Sequence, residues 1–177
     1  MAHGDLPPAE DGRVLVAVFA SPVARDLLHF GRHLGYRTVL LEPEPSAATG
    51  RAQGTADAAD TVASSVSPDL FGGQADVVVT DHDRPELGDV LAAVLAEQTR
   101  WVGVMGSPRH TAPHVAALRE RGVAEADVAR VHRPIGLNIG SHSPAEIAVA
   151  TLAGLLADRN GRPGGFAHSP PAEAVRA

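Results

Sequence analysis

The run His132-Arg133-Pro134-Ile135-Gly136-Leu137-Asn138-Ile139-Gly140-Ser141-His142 gathers imidazoles, a guanidinium, an amide and a hydroxyl around two glycines. It leads straight into a helix start. Ser143 is a ready N-cap, Pro144 suits the first helical position, and Glu146 three residues after the cap completes a capping box. The following run, Ile147 to Leu156, is apolar almost all round, which predicts a deeply packed helix. A helix N-terminus offers unpaired N–H groups and the positive end of its dipole, and glycines let a ligand approach the backbone closely. Together they favour an anion, typically a phosphate. The alternative is a well-capped core helix after a tight turn. The polar residues bunched around the loop (His132, Arg133, Asn138, Ser141, His142) favour the ligand site.

Five other places carry chemistry-bearing residues. In Gly106-Ser107-Pro108-Arg109 a glycine frees the backbone, Ser107 can cap a helix that Pro108 opens, and Arg109 adds planar donors for an anion; a plain helix cap with a solvated arginine is the alternative. Asp81-His82-Asp83-Arg84 could serve a ligand or acid–base work, or simply form a polar turn. Phe19-Ala20-Ser21 stands where a dinucleotide-binding fold carries its glycine fingerprint, and a side chain the size of Phe19 should obstruct the tight turn. Glu42, about 20 residues further on, occupies the position of an acid that takes ribose hydroxyls. His110 and His114 have zinc-ligand spacing, but no Glu follows the first and Pro113 interrupts, so no metal is assigned. No catalytic nucleophile or triad can be placed.

The elements that must position these residues alternate. Short Val-, Leu- and Ala-rich strands are expected at 13–19, 38–41, 60–64, 76–80, 101–105 and 130–132. Helices are expected from Pro22 to Gly35, around Leu87 to Leu95, from Ser107 to near Gly122, and after Ser143, with one turn at Glu125–Ala129 and surface loop at Pro68–Gly73. Strand–helix alternation without hairpin signals implies right-handed βαβ units: an α/β, Rossmann-like, doubly wound parallel sheet with helices on both faces. Ligands of such sheets sit beyond the carboxyl ends of the strands. There this topology collects Ser21, Glu42, Asp81, His82, Gly106, Ser107, Arg109, His132, Gly136, Asn138, Gly140, Ser141 and Ser143, the expected cofactor-binding set.

Composition narrows the class. With 177 residues the chain is read as a loose arm over 1–12, one domain over 13–160 and a flexible tail over 161–177. Aromatics make up only 3%, so aliphatic side chains must build the core. A formal charge of −6 argues against a nucleic-acid or acidic-membrane partner. There is no cysteine, which excludes disulfides and thiolate chemistry on this chain. No signal peptide or membrane-spanning run is visible, and a cytoplasmic protein is expected.

These segments together resemble the Rossmann-type domain of the XdhC/CoxI family, maturation factors for molybdenum-cofactor hydroxylases such as xanthine and carbon monoxide dehydrogenases. The resemblance spans roughly Arg13 to Asn160. Trp101-Val102-Gly103-Val104-Met105-Gly106-Ser107-Pro108-Arg109 is similar to the family's strand ending in G-S-R-R. His132-Arg133-Pro134-Ile135-Gly136-Leu137-Asn138-Ile139-Gly140 with Pro144-Ala145-Glu146-Ile147-Ala148 is similar to its H-x-P-I-G-L-x-I-G and P-x-E-I-A, and Val79-Thr80-Asp81-His82-Asp83 more loosely to its T-H-D segment. This chain departs from the family at Phe19-Ala20-Ser21, where the family has a glycine loop, and at Pro108 and His110, which thin the positive charge of the second loop. The cysteine-bearing segment of longer members has no counterpart, which leaves sulfur handling to a partner such as a cysteine desulfurase. The resemblance implies an accessory protein, or a divergent stand-alone relative of one, and does not establish an enzyme. It would bind molybdenum cofactor (molybdopterin) and assist its insertion into an apo-hydroxylase, with a homodimer left open. Two alternatives stand beside it: an NAD(P)- or nucleotide-dependent oxidoreductase, and a ligand-free scaffold that contacts a partner enzyme.

Overall fold

The computed structural model describes residues 12–43, 54–106 and 112–165. Strand β1 (Val14–Val18) leads to α1 (Pro22–His33), β2 (Arg37–Leu41), a 3-10 turn (Ala56–Ala58), β3 (Thr61–Ala63), α2 (Pro68–Phe71) and β4 (Ala75–Val79). Then come α3 (Leu87–Ala96), β5 (Trp101–Val104), α4 (Pro113–Glu120), α5 (Glu125–Val128), β6 (Val131–His132) and α6 (Pro144–Arg159). The six strands form one parallel sheet in the order β3-β2-β1-β4-β5-β6. This is the doubly wound Rossmann arrangement, with its direction of winding reversed between β1 and β4.

The central strands are continuous apolar runs because both of their faces are covered. Alternate residues feed two cores. Val16, Val18, Val39, Val77 and Val79 face α2–α5 through Phe71, Leu91, Val94, Leu118 and Val128. Leu15, Ala17, Leu40 and Val78 face α1 and α6 through Leu27, Leu28, Leu152 and Leu155. Helix α1 lies close on the sheet at Gly31, where a Cβ would come within 2.5 Å of Leu15 Cδ2.

At the amino end of the strands, fully buried Asp76 accepts bonds from Arg100, Arg159 (2.9 Å) and Tyr36 (3.2 Å). Three segments far apart in sequence are tied to one carboxylate there. Burial, then the neighbouring Asp76 charge, pushes the Tyr36 hydroxyl above its ordinary value.

Two local expectations are corrected. Pro68–Gly73 is not surface loop: it makes the helical turn α2, because Leu70 and Phe71 are drawn into the core and Gly72 terminates the turn at φ +57°. Helix α6 is not packed all round, since Val149 is half exposed on its outer side. The helix after β5 is described from Pro113, with Ala112 as its N-cap, and its expected start at Ser107 lies outside the described residues. The expected arm, 1–12, lies outside the described residues except for Gly12, as does the tail beyond Gly165.

Candidate functional site

Three strand ends and two helices enclose a cleft of about 850 Å³ at the carboxyl edge of the sheet. Thr80 and His82 follow β4, Met105 and Gly106 follow β5, and residues 134–141 follow β6. Val23 of α1 and Ile147, Ala150 and Thr151 of α6 complete the walls. The loop after β6 owes its course to its glycines. Gly136 has φ +87°, and a Cβ there would stand 3.3 Å from the α6 backbone at Ala150 and Thr151. A side chain would be strained on both counts. The Leu137 N–H donates to the Ala150 carbonyl (3.0 Å), which seats the loop on the helix. In the alternation Ile135-Gly136-Leu137-Asn138-Ile139-Gly140, apolar side chains thus alternate with glycines and one amide along the cleft wall.

Of the residues expected from sequence, this cleft brings together His82, Gly106, Gly136, Asn138, Gly140 and Ser141. Ser107 and Arg109 lie outside the described residues. Asp81 accepts the Asp83 N–H (3.0 Å) in a tight polar turn. His132 lies flat on Trp101, with ring centroids 5.0 Å apart and planes 5° from parallel. The Trp101 ring in turn covers Gly103, where a Cβ would collide with it and with Ile135. Ser21 caps α1 by accepting the Ala24 N–H (3.0 Å) and donates its hydroxyl to Thr80 Oγ1 (2.9 Å). Sequence reasoning missed Thr80, whose own hydroxyl donates to the Phe19 carbonyl (2.8 Å) while its side chain borders the cleft. It missed the apolar walls too, although the alternation just described was the available signal.

Helix α6 forms the expected capping box. The Ser143 hydroxyl accepts from the Glu146 N–H (3.3 Å), and the Glu146 carboxylate accepts from the N–H groups of Ser143 (3.0 Å) and His142 (2.8 Å). Those backbone bonds hold the Glu146 carboxyl below its usual range. The Glu146 carboxylate thus takes the N–H groups of the N-cap and of the residue before it, and the Ser143 hydroxyl takes that of Glu146.

The crevice beyond β1 and β2 is organised differently. Phe19 takes φ +70°, the backbone region of the glycine it replaces, and its side chain turns inward to full burial. The tight turn is made after all, so the expected obstruction is corrected. The Ala20 N–H donates to Glu42 Oε2 (2.8 Å). Glu42, 2% exposed, also accepts a two-pronged Arg84 guanidinium at 2.9 and 3.2 Å. Arg84 pairs as well with Glu86 (3.0 Å) and lies 4.7 Å above the Phe19 ring. Bonds from Arg84 pull the Glu86 carboxyl down, and Glu86, then Glu42, hold the guanidinium all the more firmly protonated.

Beside Gly106 lies the Arg133 guanidinium, which a side chain there would have to push aside. Buried His114 stands near it, and its pKa is lowered by burial first and the Arg133 charge second. The Arg133–Pro134 bond is cis. Among the described residues no group of three His, Asp or Glu side chains could hold a metal ion, and no helix is long and apolar enough to cross a membrane.

Comparison with known proteins bears on this site. The model of the XdhC Rossmann domain matches residues 15–155. The uncharacterized protein YqeB of Escherichia coli K12 is 37% identical over 94 residues, 53% of this chain and 17% of that protein. A crystal structure described as a xanthine dehydrogenase from Bacillus halodurans matches 89% of this chain and 45% of its own, at 23% identity and a TM-score of 0.62. That likeness shows the shared fold. The chain spans less than half the length of either relative.

Proposed function

From the premise that this chain belongs to the XdhC Rossmann-domain family, we propose that it is an accessory protein that binds molybdenum cofactor. It assists the cofactor's insertion into a xanthine- or carbon monoxide dehydrogenase-type apo-hydroxylase. The observation that carries this reading is the cleft at the carboxyl edge, walled by the same 134–141 run that resembles the family's signature. Its size suits one small organic ligand. Ile135, Leu137 and Met105 offer apolar faces to a flat pterin, and Thr80, His82, Asn138 and Ser141 offer polar partners to its edge. Arg133 beside Gly106 supplies positive charge towards a phosphate.

The bound cofactor carries the redox chemistry, and this chain's part is to hold and shelter it. No residue is therefore given a catalytic role. Partners on this reading are the apo-hydroxylase and a cysteine desulfurase as sulfur source, met in the cytoplasm.

The protein should co-purify with a pterin, detected by fluorescence after oxidation, when expressed in cells that make the cofactor. In calorimetry it should bind released molybdenum cofactor in preference to NAD(H) or NADP(H). Micromolar NAD(P) binding with no detectable molybdopterin binding overturns the reading in favour of a nucleotide-dependent oxidoreductase.

A further inference from the structure

In a sheet of this order a dinucleotide lies across the reversal between β1 and β4. Its pyrophosphate meets the first loop, and its adenosine ribose meets an acid at the end of β2. Here that acid, Glu42, has both carboxylate oxygens engaged, by Ala20 N–H and by Arg84. Arg84 comes from the loop after β4, so its side chain passes over the end of β1 and the Phe19 ring to reach the end of β2. It is a strap across the reversal point. Its guanidinium side chain is 14% exposed and Glu42's 3%, so neither stands free for a ligand.

We propose that Arg84 and Glu42 are specificity-determining residues that close the adenosine half of the crevice. They restrict the chain to an anionic heterocycle of about mononucleotide size in the cleft beyond β4, β5 and β6. The closure works by competition. A ribose diol entering this half would have to displace a two-pronged charge-assisted pair, and would leave a largely buried guanidinium with Glu86 as its remaining carboxylate. The cleft on the other side of the strap needs no such displacement. This closure concerns the first half of the edge only, and it stands whether or not the second half takes a pterin.

The test titrates NAD calorimetrically into the wild-type chain, Arg84→Ala, and Arg84→Ala with Glu42→Gln, each checked for fold by circular dichroism. Removing the strap frees Glu42 for the ribose hydroxyls, so Arg84→Ala should bind NAD at least about tenfold more tightly than the wild type, about 1.4 kcal/mol. The double variant, which lacks the carboxylate charge, should lose most of that gain. A folded Arg84→Ala with no gain, or a wild type that binds NAD equally well, overturns the proposal, as does a gain that survives Glu42→Gln. Should Arg84→Ala not fold, Arg84→Lys keeps a charge against Glu42 but loses the fork and the Glu86 pair. A smaller gain in NAD affinity then supports the closure, and none overturns it.

Discussion

Beyond β1 and β2 the chain satisfies its own polar groups: a carboxylate fills a backbone N–H, an arginine covers the carboxylate, and an aromatic ring lies beneath. Beyond β4, β5 and β6 the same strand–turn–helix architecture leaves a cleft walled by aliphatic side chains, with hydroxyls, an imidazole and an amide among them. Both regions stand at the ends of parallel strands, where this topology puts ligands. The difference teaches that topology nominates a place for a ligand, while side-chain pairing decides whether the place is open.

The contrast can be broken most forcefully at Glu42. Glu42→Ala leaves Arg84 with only the less buried Glu86 and should cost about 3 kcal/mol of stability in urea unfolding, the low end for a broken buried pair. A loss near zero would mean that the first half is not held by this pair. In the open half the sensitive point is Gly136. Gly136→Ala forces a side chain into a left-handed backbone and against α6, so about 1–3 kcal/mol should be lost and ligand affinity with it.

Ser143→Ala sharpens the comparison by separating cap from ligand site. Stability should fall by about 1 kcal/mol, the worth of a lost N-cap, while ligand affinity stays nearly unchanged, because the Ser143 hydroxyl is spent on the Glu146 N–H and does not line the cleft. A large affinity loss in calorimetry would place the helix end in the site.

The smallest effect concerns pH. His114 has a lowered pKa in the folded chain because burial, then Arg133, disfavours its proton. The unfolded chain therefore takes up that proton first. Its contribution to stability is complete above the unfolded value near 6.5 and declines as pH falls from there towards the folded value. His114→Gln should flatten that decline, by less than about 1.4 kcal/mol per pH unit, in urea midpoints compared at pH 7.5 and 5.5.

Local pattern made much of this legible. Val77-Val78-Val79 and Trp101-Val102-Gly103-Val104 read as buried strands because their apolar runs are continuous, and Ser143 with Glu146 read as a cap because the bonds span three residues. The strap did not read at all. Arg84 and Glu42 are 42 positions apart, and Glu42 in isolation looks like a ribose acceptor until the arginine is seen to cover it. Pro68-Asp69-Leu70-Phe71 read as loop because one helical turn is too short to show a period. The outer side of α6 read as core because an apolar sequence does not say which side meets a neighbour.

The clasp at Asp76 bears on how the molecule can move. One carboxylate ties Arg159 at the last turn of α6, Arg100 just before β5 and Tyr36 just before β2. That makes a pin at the pole opposite the cleft. Helix α6 is thus anchored at its far end, while its first turns, beside Ile147 and Ala150, border the opening. A lever of 16 residues is about 24 Å long, so a tilt of a few degrees about the pin shifts the cleft wall by more than an ångström while the sheet stays still.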